Sequence, residues 1–165
     1  MAKCRHKETI DHLKLQVDAL AFIKQQGLKL TAPRKAIIHL LAHEQGPFTI
    51  ETLQKRVVEC EGVSMDPATV YRTMVSLEQL GVVNRCDFGD GPARFELRRP
   101  HHHHHMICRV CRHVSTLDSC DFDESAFLPR DHGFRDVTHR LEFFGTCPRC
   151  YKKSRSDVHQ PSVKS

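Results

Sequence analysis

Apolar residues recur at helical spacing through the first half of the chain and give way to short strand-like runs in the second. From Glu8 to Gln26, the residues Ile10, Leu13, Val17 and Leu20 fall on one stripe, and Gly27 stands just past the helix end, where a left-handed cap is expected. Thr31 precedes Ala32-Pro33-Arg34, a helix start with proline in the first turn, and Ile37, Ile38, Leu40 and Leu41 supply the apolar face until Gly46-Pro47 breaks it. Thr49 is placed to cap a third helix with Leu53, Val57 and Val58 inward. Asp66-Pro67 opens a fourth helix that runs to about Leu80, with Val70, Met74 and Leu77 on its inner stripe and Gly81 at its end.

Beyond Gly81 the period changes. Val82 to Cys86 and Arg94 to Leu97 read as two strands around Gly89-Asp90-Gly91, a hairpin with glycine-rich turn chemistry. Short helices followed by a two-stranded hairpin form a winged helix-turn-helix, whose last helix lies in a DNA major groove. On that helix Ala68, Thr69, Tyr71 and Arg72 are the early outward positions, with hydroxyl, apolar and guanidinium groups suited to phosphates and base edges. Lys29, Arg34, Lys35, Lys55 and Arg56 are candidates to hold the backbone. An ordinary helical bundle with a solvated basic face fits the same pattern.

The remainder reads as a smaller unit. Arg98 to Pro100 is a short linker. Strands are expected at Met106–Cys108 with the preceding histidines, at Val114–Leu117 and across Arg135–Phe144, with a helical piece over Asp123–His132. The expected class is therefore α+β: a winged-helix domain over residues 1–97, a hinge at 98–100, a small α/β domain over 101–150, and a polar, basic, disordered tail at 151–165.

Composition narrows the setting without choosing a function. Of 165 residues, 39% are hydrophobic and 27% charged, enough for a core, and the formal charge of +5 permits a nucleic-acid partner without demanding one. No leader and no apolar run approaching the ~18 residues of a membrane span is visible, so the expected compartment is the cytoplasm and no membrane partner is expected. In that compartment thiols stay reduced, and eight cysteines argue for metal before disulfides.

The chemistry concentrates in one stretch. His101 to His105 runs through Met106-Ile107 into Cys108-x-x-Cys111, and Cys147-x-x-Cys150 follows later. A histidine run at a terminus is ordinarily a purification tag, but this one is internal and leads straight into a ligand motif. Two Cys-x-x-Cys pairs complete a tetrahedral S₄ site, typical of structural zinc, with Cys108, Cys111, Cys147 and Cys150 as ligands. If the histidines are extended, their side chains alternate. His103 and His105 then join Glu96 and Cys86 on one side. His102 and His104 join His139 and a carboxylate from Asp121, Asp123 or Glu124 on the other, with Asp123 chosen here. Mixed nitrogen and oxygen ligation suits Fe²⁺, Mn²⁺, Zn²⁺ or Ni²⁺ and does not choose among them. A solvated tract with adventitious metal affinity is the plainer alternative.

Other residues have plainer readings. His139 is as well placed for a core as for a metal, His132 for a helix end, and His113 for the surface. His43 is open between a ligand and an exposed helix end. Cys4, Cys60 and Cys120 read as small buried or idle thiols.

With both halves in view, the sequence resembles the ferric uptake regulator family of bacterial metal-responsive repressors. The resemblance spans about Leu28 to Cys150 and rests on Leu30-Thr31-Ala32-Pro33-Arg34, Ala68-Thr69-Val70-Tyr71-Arg72, Leu80-Gly81-Val82-Val83, Phe95-Glu96-Leu97, the histidine run leading to Cys108-x-x-Cys111, and Gly145-Thr146-Cys147-x-x-Cys150. It implies an N-terminal winged helix, a C-terminal dimerisation domain, and a homodimer that binds AT-rich inverted repeats of double-stranded DNA when metal-loaded, with no enzymatic activity. By position it implies DNA contacts at Lys29, Tyr71 and Arg72, structural zinc at the four cysteines, a regulatory hinge site at Glu96, His103 and His105 taking Fe²⁺ or Zn²⁺ with Mn²⁺ admissible, and a second site at His102, His104 and His139. Pro47 stands where family members usually carry a hinge-site histidine, leaving His43 and Cys86 as the nearest substitutes. Arg112 stands in place of the usual glycine after Cys111. A metal-storage or metal-delivery protein, binding metal without sequence-specific DNA recognition, is the alternative function.

Overall fold

The computed structural model describes residues 10–44, 46–89, 91–100, 103–117, 133–135 and 140–157, and divides into two compact units, Met1–Pro100 and His101–Ser165. The first unit holds α1 (Ile10–Gln25), α2 (Ala32–His43), β1 (Phe48–Thr49), α3 (Ile50–Glu61), α4 (Pro67–Gln79), β2 (Val83–Cys86) and β3 (Arg94–Leu97). The second holds β4 (His104–Cys108), β5 (Val114–Leu117), β6 (Glu142–Gly145) and α5 (Pro148–Asp157). This is the expected α+β arrangement.

Local chemistry sets the helix starts. Thr31 and Thr49 take extended backbone before α2 and α3, and the Thr49 hydroxyl accepts the Thr52 amide at 3.1 Å. Asp66 caps α4, its carboxylate accepting the Thr69 amide at 2.9 Å, with Pro67 supplying the preset first turn. At the far end of α3, Gly62 adopts φ 65°, the left-handed cap that a side chain would strain.

One core binds the first unit together. Ile23, Ile37, Ile38, Leu40, Leu53, Val57, Val70, Met74 and Leu77 are fully buried, joined by Phe95 and Leu97 from the hairpin. Three expected inward positions fail. Val58 is 46% exposed, and on α1 the residues Leu13 and Val17 are exposed at 43% and 60% while Leu15, Ala19 and Ile23 face the core. Of the α1 stripe, Leu20 packs against the core whereas Leu13 and Val17 do not. The sheet has the order β1-β3-β2, all antiparallel, with Phe48 opposite Phe95 and Cys86 opposite Arg94.

The second sheet has the order β5-β4-β6. β4 pairs antiparallel with β5 and parallel with β6, so Cys108 stands opposite Gly145, two residues before Cys147. Of the strand expected over Arg135–Phe144, β6 covers Glu142–Gly145, and among the other described residues Gly133–Arg135 and 140–141 form neither strand nor helix. The expected helix over Asp123–His132 lies outside the described residues. The tail expected to be disordered from residue 151 is helical to Asp157. Pro148 opens that helix, and Tyr151 N–H bonds the Cys147 carbonyl at 2.9 Å, so its first turn grows out of the second cysteine pair. Residues 158–165 lie outside the described set.

Candidate metal centres and nucleic-acid interface

The four cysteines converge. One sulfur from each of Cys108, Cys111, Cys147 and Cys150 lies within 4.8 Å of all the others. The Cys111 and Cys147 sulfurs are 3.7 Å apart, and the edge of a ZnS₄ tetrahedron with ~2.3 Å bonds is roughly 3.8 Å. Backbone geometry builds this. Cys108 N–H bonds the His113 carbonyl at 2.8 Å and Arg112 N–H bonds the Cys108 carbonyl at 2.9 Å, a tight knuckle that forces Arg112 to φ 61°. Two amides, of Cys111 at 3.5 Å and Cys147 at 3.3 Å, donate to the Cys108 sulfur. They hold its thiol down at about 6, whereas the sulfurs of Cys111 and Cys147 push Cys150 up to about 12. One thiol is therefore poised as thiolate and another holds its proton until a cation displaces it. Donor type, number and spacing all fit zinc.

The histidine strand alternates as expected. His103 and His105 share a side, their rings 5.1 Å apart and edge to face, while His104 is buried on the other and meets the Phe143 ring at 6.5 Å. His101 and His102 lie outside the described residues, as do Asp121, Asp123, Glu124 and His139. His104 is thus the one described member of the expected second site. In the first unit, Cys86 and Glu96 occupy one face of the β2–β3 ladder, because Cys86 faces Arg94 and Arg94 alternates to Glu96. Both are 5% exposed, and the thiol and carboxylate lie within 4.8 Å of each other. A buried carboxylate beside a thiol on one face is a half-built ligand set for a borderline metal.

His43 is 6% exposed, which excludes the exposed-helix-end reading. It bonds Gln16 at 3.2 Å and packs on His39. Cys60 is disulfide-bonded, which corrects its reading as an idle thiol.

The outer face of α4 is open. Ala68, Tyr71 and Arg72 are exposed, Tyr71 at 54%. Thr69 is more constrained than expected: its hydroxyl donates to Asp66 at 2.6 Å and accepts from Arg72 at 3.3 Å. The Thr69 hydroxyl, followed by its amide, holds the Asp66 carboxyl below its usual range. Lys29 and Lys35 are exposed. Arg34 instead folds back onto the Lys29 carbonyl and braces the turn that presents Lys29. Lys55 is paired with Glu51 at 2.7 Å on an exposed face, and Arg56 with Glu44 and Glu59. Sequence reading missed Arg85, which is exposed on β2 and lines a cleft with Tyr71, Thr49, Pro92 and Phe95. Alternation could not have marked it, because Val83 to Cys86 read buried, exposed, exposed, buried.

Comparison with known proteins agrees with this geometry. The Ferric uptake regulator family matches residues 25–144. The ferric uptake regulation protein of Bacillus subtilis is 34% identical over 149 residues, covering 87% of this chain and 95% of that one. Among solved structures, the Vibrio cholerae ferric uptake regulator superposes with a TM-score of 0.64 at 29% identity, covering 79% of this chain and 99% of that one. A zinc-bound manganese uptake regulator superposes at 0.65 with 31% identity, covering 78% and 98%.

Proposed function

Since the chain belongs to the ferric uptake regulator family, whose members are metal-responsive transcription regulators and not enzymes, we propose that it is a homodimeric repressor acting on double-stranded DNA operators. In this reading it recognises AT-rich inverted repeats in the cytoplasm when its regulatory site is loaded. Among the described residues no helix is long and apolar enough to cross a membrane.

The observation that carries the proposal is the division of ligand types between the two units. Cys86 and Glu96 stand together on the hairpin of the first, and His103 and His105 stand together before and within β4 of the second. Fe²⁺ or Zn²⁺ bound by these residues would supply a charge-dense cross-link. Mn²⁺ is admissible, although the thiol of Cys86 favours the softer ions. Cys86 then takes the place left by Pro47, while His43 is engaged within the first unit.

Glu96 and Cys86 report metal to the DNA face through the same hairpin whose strands pack on α4. A shift of population toward the DNA-competent form follows from the differential affinity of the two forms for metal, and a tenfold gain in operator affinity needs only about 1.4 kcal/mol. Lys29, Tyr71 and Arg72 would make the contacts: Arg72 to a guanine or phosphate, Tyr71 through ring and hydroxyl, and Lys29 as a mobile cation. Arg34 supports Lys29, and Thr69 supports Arg72. The second site keeps His102, His104, Asp123 and His139 as its ligands in this proposal, and Cys108, Cys111, Cys147 and Cys150 hold structural zinc that stabilises the dimerisation unit.

The test is a gel shift on the promoter region of the protein's own gene, metal-free and with Fe²⁺, Mn²⁺ or Zn²⁺, using the intact chain and its H103A/H105A variant. Metal-stimulated retardation by the intact chain, lost in the variant while the cysteine-bound zinc is kept, supports the proposal. Tight metal uptake with no sequence-specific retardation would instead favour a storage or delivery role.

A further inference from the structure

Strand β2 is anchored at both ends. Val83 and Cys86 are buried, and the two residues between them, Asn84 and Arg85, face outward. Arg85 is an exposed cation with no ion pair to another described residue. It stands opposite Phe95 in the β2–β3 ladder. These two share a cleft of about 360 Å³ with Tyr71 of α4, Ile50 and Glu51 of α3, and Pro92. The cleft lies wholly within the first unit. The function proposed above sets Tyr71 against DNA and gives Arg85 no part.

We infer that Arg85 is a further DNA-contacting residue, holding a backbone phosphate at the mouth of this cleft together with the Tyr71 hydroxyl. The inference rests on the DNA-binding reading and adds a contact from the hairpin to those from α4 and Lys29. The chemistry of the lining supports it. A guanidinium presents its N–H groups in a planar fork that matches two phosphate oxygens, and a tyrosine hydroxyl can donate to the same group. Both side chains are exposed, Tyr71 at 54%, and they come from two different elements, so a phosphate between them would bridge helix and hairpin. Ile50, Pro92 and Phe95 give the cleft apolar walls. A charge pair beside such walls is less screened than one in open water. The one acid in the lining, Glu51, is already paired with Lys55 at 2.7 Å, so Arg85 sets the sign of the cleft. The twelve-residue helix α3 starts here and adds partial positive charge of its own.

The ladder supplies rigidity. β2 pairs with β3 at four consecutive positions, so Arg85 is carried on fixed backbone. A phosphate contact from such a position carries no sequence information itself; it fixes how deep and at what angle α4 sits in the groove. The hinge ligand Cys86 is the next residue along the strand, so the metal site and this contact share one short piece of backbone.

The experiment measures fluorescence anisotropy of a labelled fragment of the protein's own promoter region, and of a scrambled fragment, against the full chain. The chain is loaded with the metal that gives retardation in the gel shift above. R85Q should weaken binding to both fragments by roughly tenfold. It should also lower the log–log salt slope by about 0.9 per protomer bound, and R85K should restore the slope. R85Q and Y71F together should cost less than the product of their separate effects, because they serve one phosphate. Affinity and slope unchanged in R85Q would overturn the contact. So would a loss of affinity that R85K does not rescue, which marks a structural role, or strictly additive losses with Y71F. Inorganic phosphate exchanged for chloride at constant ionic strength should not displace DNA; displacement from the parent chain but not from R85Q would assign the cleft to a free anion instead. A parent chain that binds neither fragment in any metal state would remove the DNA-binding reading itself, an outcome distinct from DNA binding that ignores Arg85.

Discussion

The Cys108 sulfur accepts the Cys147 backbone amide at 3.3 Å, so the first thiol of one cysteine pair is held by the main chain of the other. The two pairs are therefore one structural object. The unit around them is poor in other stabilising contacts: among its described residues only Ile107, Cys108 and Val114 are buried apolar groups. Replacing Cys108 by serine should release zinc and dissolve the second unit, giving a zinc-free monomer by light scattering and metal analysis. The first unit has its own core and should keep its helical signal. A variant that remains a zinc-loaded dimer would refute the four-thiolate site.

Zinc affinity should rise with pH, because bound thiols must lose protons. Cys150, pushed up to about 12 by its neighbouring sulfurs, is protonated throughout the neutral range and must be displaced at any such pH. Cys108, held down at about 6 by two amides, is already a thiolate above that value and adds a further proton to expel below it. The dependence should therefore be steeper below about pH 6 than above, by up to one power of ten per pH unit. Competition with a chromophoric chelator on both sides of that pH measures the slopes, and equal slopes would refute the assignment of Cys108.

Arg112 holds φ 61° without being glycine. A left-handed backbone costs a side-chain-bearing residue roughly 1–2 kcal/mol, so Arg112→Gly should strengthen the knuckle and raise zinc retention about fivefold or more. Retention below that of the parent chain would mean that the arginine side chain contributes more than its backbone costs.

Contacts to DNA should separate by salt dependence. Arg72→Ala, removing a guanidinium from the exposed face of α4, should weaken operator binding by roughly 1–3 kcal/mol and relax sequence preference. Lys29→Ala should instead weaken all sequences alike and reduce the log–log salt slope by about 0.9. Isotherms at several salt concentrations distinguish these outcomes; identical signatures for the two variants would defeat the division of roles.

Thr49 both caps α3 and joins β1 to β3 opposite Arg94. Thr49→Ala should cost about 1 kcal/mol, or about 4–8 °C in the melting temperature of a domain of this size. No change in calorimetry would mean that water satisfies the freed amide equally well.

The parts legible in the sequence were those that a local rule controls. Thr49 and Asp66 announce helix starts through short-range capping, Gly27 and Gly81 lie beyond helix ends, and Cys-x-x-Cys pairs announce tetrahedral thiolate geometry. What escaped depends on tertiary context. β1 is a pair of residues with no readable alternation, made a strand only because β3 lies beside it. α5 is so polar that its helical character rests on Pro148 and its junction with Cys147. Leu13 and Val17 have the right spacing for a core, yet α1 packs through Leu15, Ala19, Leu20 and Ile23.

Strand β4 has a consequence for how the molecule matures. It is completed on one side by β5, which follows closely, and on the other by β6, and its Cys108 is not fully held until Cys147 arrives 39 residues downstream. A chain still leaving the ribosome with only the histidine strand and its first cysteine pair exposed would have the letters of a sensor without its frame. Readiness to report metal should therefore trail synthesis by the time needed to capture zinc. Newly made molecules would be silent for that interval, and scarcity of zinc would lengthen it.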